Sequence, residues 1–398
     1  AHADTLHSIK GWLKTPHTAA LGPTLASLAL GVVFHPDSPH RPNAALSRLP
    51  SDDYQWVVTA ADNLGRNHIR NIPSGGDDAL VEEARRHVRE DSIALARDRL
   101  GELAAPRVQL SRELAAAAVS ELYPDAIAGT VPHPPSPADL RAQNGQSAVR
   151  HYLFGSGRGI FEAAVWEEVY GANKDAAPGV SGLRRSWLRA LVGKKPSRDP
   201  EPGRTPLQTV AEWVDGLWQG GAPQLLSTTR LRLIPKSKGG FRPLAMGETV
   251  ATVAKGIVAG RLSADAKEWM QSRGQWGTGV SDATAKVASL ATTAWEHGWN
   301  VTAIDLRNAY GCVHRTAVAA AVEGVAAPLA PFVCLCLQPN TVIGESIERT
   351  VSRGVMQGDP MASVLFNLTI AKMMADVKDT CAGSGVEVLS PSSSDLPQ

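Results

Sequence analysis

An acidic residue, Asp305, follows the mostly apolar run 301–304, which is typical of a β-strand. An aspartate in this place can cap the turn that follows the strand. It can equally bind a divalent cation, because Mg²⁺ prefers one or two carboxylates together with substrate phosphates. Tyr310 lies five residues further on and could border the same site. The sequence therefore offers Asp305 as a candidate metal ligand, with turn capping as the alternative.

A cluster of basic residues precedes this segment and contains no acidic residue. Two strand-like runs joined by Gly239 and Gly240 predict a β-hairpin over Leu231–Leu244. Such a hairpin suits phosphate groups, since a guanidinium can engage two oxygens at once. An ordinary cationic surface hairpin is the alternative. The basic residues are Arg230, Arg232, Lys236, Lys238 and Arg242.

A third segment combines glycine with polar residues ahead of an apolar run. Gly354 and Gly358 bracket Val355-Met356-Gln357, and the missing side chains would let the backbone approach a ligand closely. Asp359 and Pro360 follow, and this pair predicts the N-cap and first position of a helix. Because the helix is apolar around most of its circumference, we expect it to be buried.

In this order and spacing, the three segments resemble the reverse transcriptase domain, most closely that of site-specific non-LTR retrotransposons. The hairpin is similar to the fingers motif, Asp305 and Tyr310 to the palm motif, and the glycine-bracketed segment to the QGDP or QGSP motif. Two weaker similarities support this: residues 177–182 resemble the PGxDG motif, with Ser181 in place of aspartate, and residues 275–279 resemble the glycine-rich stretch before the palm. The matching strings are Leu233-Ile234-Pro235-Lys236, Arg242-Pro243, Gln357-Gly358-Asp359-Pro360 and Leu365-Phe366-Asn367.

The resemblance implies an RNA-directed DNA polymerase that acts on an RNA template, a DNA primer and deoxynucleoside triphosphates. Its chemistry is attack of the primer 3′-hydroxyl on the α-phosphate, assisted by two Mg²⁺ or Mn²⁺ ions. Asp305 would be the catalytic metal ligand and Tyr310 would exclude a ribose 2′-hydroxyl. The remaining implied roles are the triphosphate for Lys236 and Arg242, and the templating pair for Gln357 and Gly358.

The implied fold class is α+β, a right-hand polymerase with fingers and a partial palm, preceded by a mostly helical N-terminal region. We expect that helical region over residues 1–130 and a proline-rich linker over 131–150. Helices and an exposed basic loop would occupy 151–227, the fingers and partial palm 228–389, and a disordered tail 390–398. An intracellular, nuclear location follows from the resemblance.

Part of the expected metal site is missing from the sequence. In the family the further carboxylates belong to a YADD-type hairpin, which should come soon after Leu389. The polar, proline-containing segment found there is a poor strand. We therefore expect this chain to lack half of its metal site, through truncation or a change of frame. A catalytically inactive relative that binds RNA or a partner protein is the main alternative, and an unrelated α/β protein is the other.

Composition limits the remaining possibilities. The 398 residues include 40 Lys and Arg against 39 Asp and Glu, which excludes a protein that binds nucleic acid by bulk positive charge. No apolar run is expected to approach the length of a membrane span, so we predict no membrane contact. The cysteines form no CxxC pair and predict neither a disulfide framework nor a zinc knuckle. They are Cys312, Cys334, Cys336 and Cys381.

Overall fold

The structure is a computed structural model that describes most of the chain from residue 110 to residue 383. The part of the predicted helical region before residue 110 lies outside the described residues. The predicted tail at 390–398, where the missing hairpin was expected, also lies outside them. Most of the predicted basic loop lies outside them too. The described ranges are 110–142, 144–171, 176–193, 195, 205–236, 239–278, 280–345 and 347–383.

Helices account for most of the regular structure. The described helices of the first half are α1 (Arg112–Leu122), α2 (Ala148–Phe154), α3 (Arg158–Gly171), α4 (Arg185–Val192), α5 (Pro206–Trp218) and α6 (Pro223–Ser227). Those of the second half are α7 (Thr249–Gln271), α8 (Ala283–Glu296), α9 (Ala309–Cys312), α10 (Arg315–Ala326), α11 (Ala330–Cys336) and α12 (Ala362–Gly383), with a 3₁₀ turn at Ala327–Leu329. The strands are β1 (Thr228–Pro235), β2 (Phe241–Gly247), β3 (Asn340–Gly344) and β4 (Ile347–Val351).

The four strands form one sheet in the order β2-β1-β3-β4. The predicted hairpin is present: β1 and β2 pair antiparallel, with Arg232 opposite Leu244 and Ile234 opposite Arg242. The β1 and β3 strands run parallel, and β3 and β4 form a second antiparallel pair. Because side chains alternate along a strand, Leu231 and Leu233 point to one face, where they pack with α1 in a small core.

A larger core lies among the helices and supports the sheet. Helices α3, α5 and α7 pack together, and α12 packs against α7 and α10. Trp218 is fully buried; its indole N–H donates to the carbonyl oxygen of Ala254 at 3.2 Å, and its ring lies 5.5 Å from that of Phe161. A capping box between Thr205 and Gln208 fixes the start of α5. The helical core thus holds α7, α10 and α12, the helices nearest the candidate site.

The proline-rich segment before α2 has fixed contacts with this body. It forms no helix, as the prolines predict. Pro132 accepts a hydrogen bond from the Gln338 side chain at 3.1 Å, and Leu140 is buried in the helical core. Ser147 donates its hydroxyl to Asp215 at 2.6 Å. The residues predicted as a linker therefore pack along the helices in the structure.

The strand predicted before Asp305 is wrong. Residues 299–306 have no regular secondary structure, and Ile304 is 82% exposed. The preceding helix α8 has no buried residue, and Trp295 at its end is 70% exposed. A strand requires a partner for its backbone groups, and no described segment pairs with this one. The apolar run predicted a strand, but the run itself carries no information about whether a partner strand lies beside it.

The buried helix predicted after Pro360 begins slightly later than expected. Helix α12 starts at Ala362, and Asp359 caps the preceding turn by accepting the backbone N–H of Met361 at 2.9 Å. The first half of the helix is buried, including Leu365 and Leu368. The second half exposes apolar side chains, so the burial prediction holds only near the site.

Among the described residues one stretch, Arg315–Cys336, is long and apolar enough to cross a membrane by length and composition, with a mean hydropathy of 1.9 over an 18-residue window. This departs from the expectation that no apolar run approaches that length. In the structure the stretch is divided into α10, a 3₁₀ turn and α11, and Val318, Val322 and Phe332 are fully buried in the helical core. Core helices pass the same test, so the stretch is weak support for a membrane span.

Candidate functional site

A cleft of about 510 Å³ lies between α1, the hairpin turn and the residues that precede α9. The predicted residues Lys236 and Asp305 both line it, although they are far apart in the sequence. Phe241 lines the cleft from the start of β2, while Glu121 and Arg307 border it from α1 and from the turn before α9. The fold thus brings a candidate phosphate-binding amine and a candidate metal-binding carboxylate to one place.

Both predicted groups are exposed and available in this cleft. Neither Lys236 nor Asp305 forms an ion pair with another described residue. The neighbouring carboxylate, Glu121, is instead engaged by the Arg307 guanidinium, and its backbone carbonyl accepts from the Asn308 side chain at 3.2 Å. Asn308 adopts a left-handed conformation with φ 51°, which turns the chain from the extended run into α9.

Within the described cleft, Asp305 can supply one oxygen ligand to a hard cation such as Mg²⁺. Asp305 is an exposed oxygen ligand, and Mg²⁺ commonly takes one or two carboxylates plus phosphate oxygens. Among the described residues, no group of three or more His, Cys, Asp or Glu side chains could hold a metal. A metal at Asp305 would therefore need further ligands from a bound phosphate or from residues beyond those described.

Arg242 does not line this cleft. Its register partner on β1 is Ile234, so the two side chains share the face opposite Phe241 and α1. Lys236 comes just after β1 ends, and its backbone N–H donates to the carbonyl oxygen of Gly240 at 3.0 Å, which continues the hairpin pairing toward the turn. Of the two cations that the resemblance assigns to one triphosphate, Lys236 lines the cleft and Arg242 does not.

Tyr310, also absent from the cleft lining, is held by packing against α12. Its ring stacks on Phe366 with the centroids 4.8 Å apart and the planes 19° from parallel. Its carbonyl oxygen accepts the Val355 backbone N–H at 2.8 Å, and Gly354 donates to the carbonyl of Val313 at 3.0 Å. The short helix α9 and the glycine-bracketed segment thus form one backbone unit.

The other end of the glycine-bracketed segment joins the edge of the sheet. The backbone carbonyl oxygen of Gln357 accepts the backbone N–H of Ala245 on the outer strand β2 at 2.8 Å. Gly358 has φ 108°, and a β-carbon there would lie 2.3 Å from the Ala245 carbonyl oxygen. Glycine is required at this position, because any side chain would separate the loop from the strand. Gln357 is consequently tied to the hairpin, although it does not line the cleft.

A buried ion pair fixes the end of this loop. The Nζ atom of Lys255 in α7 lies 2.6 Å from Oδ2 of Asp359, and the two side chains are only 7% and 18% exposed. The amine also donates to the carbonyl of Leu226 at 3.2 Å. Burial acts to lower the pKa of Lys255, but the charge and hydrogen bond of Asp359, together with Cys336, raise that pKa overall. The sequence did not identify Lys255; a single lysine within the apolar stretch of α7 is the signal that could have done so.

A second buried cation, Arg315, holds the start of the loop. Its guanidinium donates to the carbonyls of Gly354 at 2.9 Å and Leu337 at 3.0 Å. It also donates to the carbonyl of Gln338 at 2.8 Å and to the side-chain oxygen of Asn340 at 2.9 Å. Burial lowers the pKa of Arg315 to about 10, so it stays charged at neutral pH. This residue too was not predicted, since its partners are mostly backbone oxygens.

Comparisons with known proteins do not add a family. No family model matches the chain, and no curated protein matches it.

Replacing Gly358 with alanine should separate the loop from β2. We expect Gly358→Ala to lower the free energy of unfolding by about 2 kcal/mol or more, because strain at positive φ adds to a clash with Ala245. The matched control is Gly129→Ala, where φ is 78° but nothing lies within 4 Å, and about 1 kcal/mol is expected. Urea unfolding measures both. Equal losses would contradict the close contact.

Breaking the buried pair should cost more than removing both charges. We expect Lys255→Met to lose about 3–5 kcal/mol of unfolding free energy, because Asp359 is left as a buried unpaired charge. The double variant with Asp359→Asn should regain part of this loss, and the exposed Lys267→Met should change stability by less than about 0.5 kcal/mol. Additive losses in the double-mutant cycle would argue against the pair.

Proposed function

We propose that the chain is part of an RNA-directed DNA polymerase, the reverse transcriptase of a retroelement, and that it comprises the fingers and part of the palm. The observation that carries the proposal is that Lys236 and Asp305 line one cleft. Each belongs to a separate segment that resembles the family, and nothing in their sequence separation requires them to meet. The backbone unit of α9 and the glycine-bracketed segment adds support, since it links Tyr310 to Gln357.

In this proposal each residue acts on one part of the nucleotide. Lys236 binds the triphosphate, because its exposed amine has no carboxylate partner among the described residues. Asp305 holds Mg²⁺ or Mn²⁺, which when bound stabilises the attacking and leaving oxygens of the transfer. The resemblance assigns the exclusion of a ribose 2′-hydroxyl to Tyr310, whose ring is fixed by stacking on Phe366 outside the cleft lining. It assigns contact with the templating base pair to Gln357, which is tied to β2 and also lies outside that lining.

The apolar surface exposed before Asp305 supports the proposal that the palm is incomplete in this chain. Residues 299–306 and α8 expose Trp295, Trp299, Val301 and Ile304, and an apolar patch next to a functional cleft ordinarily packs against another element. The family's YADD-type hairpin, with the remaining carboxylates, is the element we propose for this place. An RNA template, a DNA primer and a nuclear location belong to the same proposal.

A second candidate function is RNA or protein binding without catalysis. The cleft favours it in one respect: of its two carboxylates, Glu121 is engaged by Arg307, which leaves Asp305 as the one available to a metal within the described cleft. Two-metal chemistry needs more than one carboxylate. A relative that kept Lys236 in the cleft but lost the metal ligands would still offer an unpaired amine to phosphates.

Primer extension separates the two candidates. With an RNA template, a labelled DNA primer and Mg²⁺, the full protein that contains this chain should extend the primer, and Asp305→Asn should reduce the rate about 100-fold or more. The control is Asp282→Asn, an exposed aspartate at the start of α8. Undiminished extension by Asp305→Asn would refute the assigned role. RNA binding with no extension would favour the second candidate.

Sugar discrimination tests the role of Tyr310. We expect Tyr310→Ala to increase incorporation of ribonucleotides relative to deoxyribonucleotides by about 10- to 100-fold, because the side chain that blocks the 2′-hydroxyl is gone. Incorporation ratios from single-turnover extension measure the change. Phe366→Leu is the control, since it removes the stacking but leaves the ring of Tyr310. An equal effect of both variants would show that packing, not exclusion, sets the ratio.

A further inference from the structure

The sheet has a second charged surface, on the face away from α1. Arg230 and Arg232 of β1 share this face, because residues two apart on a strand point the same way. Arg242 lies on the same face, opposite Ile234. We call Arg184, Arg230 and Arg232 the arginine cluster. The cluster is distinct from the cleft that Lys236 and Asp305 line.

Arg184 reaches this face because its loop is tied to the end of β2. Ser181 donates both its backbone N–H, at 2.8 Å, and its hydroxyl to the carboxylate of Glu248, which directly follows β2. The hydroxyl of Thr249 donates to the carbonyl of Leu183. These bonds place exposed Arg184 beside the strand end where Arg230 lies opposite Met246 in the sheet.

Arg230 is the unusual member of the cluster. It is only 9% exposed, and its Nε has no hydrogen-bond partner among the described residues. Its other recorded contact is weak, from Nη2 to the sulfur of Met246 at 3.5 Å. Burial lowers the pKa of Arg230, and the like charges of Arg232 and Arg184 lower it further. A buried donor without an acceptor is unfavourable, so an anion that contacts the Arg230 guanidinium would supply the missing acceptor.

The acidic groups nearby do not neutralise the cluster. The buried carboxylate of Glu248 attracts Arg230, but this raises the pKa of Arg230 by less than burial, Arg232 and Arg184 lower it, and the carboxylate is bonded to Ser181. Glu345 accepts the backbone N–H of Leu233 at 3.2 Å. Glu348 faces the same side from β4, which is two strands away from β1. None of these acids forms an ion pair with a member of the cluster within the described part of the chain.

We infer that the arginine cluster binds the phosphate backbone of a single-stranded nucleic acid, in the proposed function the RNA template. Arg230 and Arg232 are about 6.6 Å apart along the strand, which suits successive phosphates of an extended chain. Apolar Ile234, which is 41% exposed, and half-buried Leu244 lie next to the arginines and offer surface for bases. A folded acidic protein would need complementary carboxylates at the same close spacing. The inference rests on the proposed function, but its test does not require catalysis.

Salt-dependent RNA binding by the full chain tests the inference. The probe is a short, fluorescently labelled single-stranded RNA, titrated by anisotropy over a series of KCl concentrations. We expect the double variant Arg184→Gln/Arg232→Gln to reduce the slope of log affinity against log salt by about 1.4, or about 0.7 for each lost phosphate contact. The control removes the same charge elsewhere, as Arg261→Gln/Lys267→Gln on the exposed side of α7, and should leave the slope unchanged.

Each outcome decides the inference independently of catalysis. A slope equal to that of the control double variant would overturn the inference even if primer extension succeeds. A reduced slope in a protein without extension activity would support it and count against the polymerase. Polyglutamate serves as a second probe, and an equal or greater loss of polyglutamate binding would overturn the nucleic-acid assignment in favour of an acidic protein partner. Because both arginines are exposed, we expect the variant to fold, and circular dichroism checks this.

Discussion

The buried ion pair between Lys255 and Asp359 is the constraint on which the site depends. A charged amine within the helical core is stable only with its partner, and that partner lies at the end of the glycine-bracketed loop. Arg315 holds the beginning of the same loop through Gly354. The loop is consequently fixed at both ends by cations that the helical core buries.

The fixed loop in turn connects the two halves of the candidate site. On one side it bonds to α9, where Tyr310 is stacked on Phe366, and α9 directly follows the turn after Asp305. On the other side Gln357 bonds to β2, whose hairpin ends at Lys236. These backbone bonds require close approach, which explains glycine at position 358 better than a turn preference does. The packing of the helices therefore helps to set the distance between the hairpin and the segment that carries Asp305, which are two walls of the cleft.

Local patterns predicted part of this arrangement. The hairpin followed from alternating apolar residues around Gly239 and Gly240, and the buried start of α12 from its apolar circumference. The strand before Asp305 was not formed, because pairing depends on a partner that a local pattern does not contain. Lys255 and Arg315 were missed since their oxygen partners are distant in sequence. That Lys236 lines the cleft and Arg242 does not could not be read from the local pattern, and their assigned roles stay predictions.

The central claim is that Lys236 and Asp305 face one bound nucleotide, and affinity labelling tests it most directly. A deoxynucleoside triphosphate with a photoreactive group on its γ-phosphate would be irradiated with the chain in the presence of Mg²⁺, and the labelled peptides identified by mass spectrometry. The account predicts labels confined to peptides that contain Lys236 or Asp305, competed away by unlabelled deoxynucleoside triphosphate. Labels scattered over other surfaces, or not competed, would contradict it.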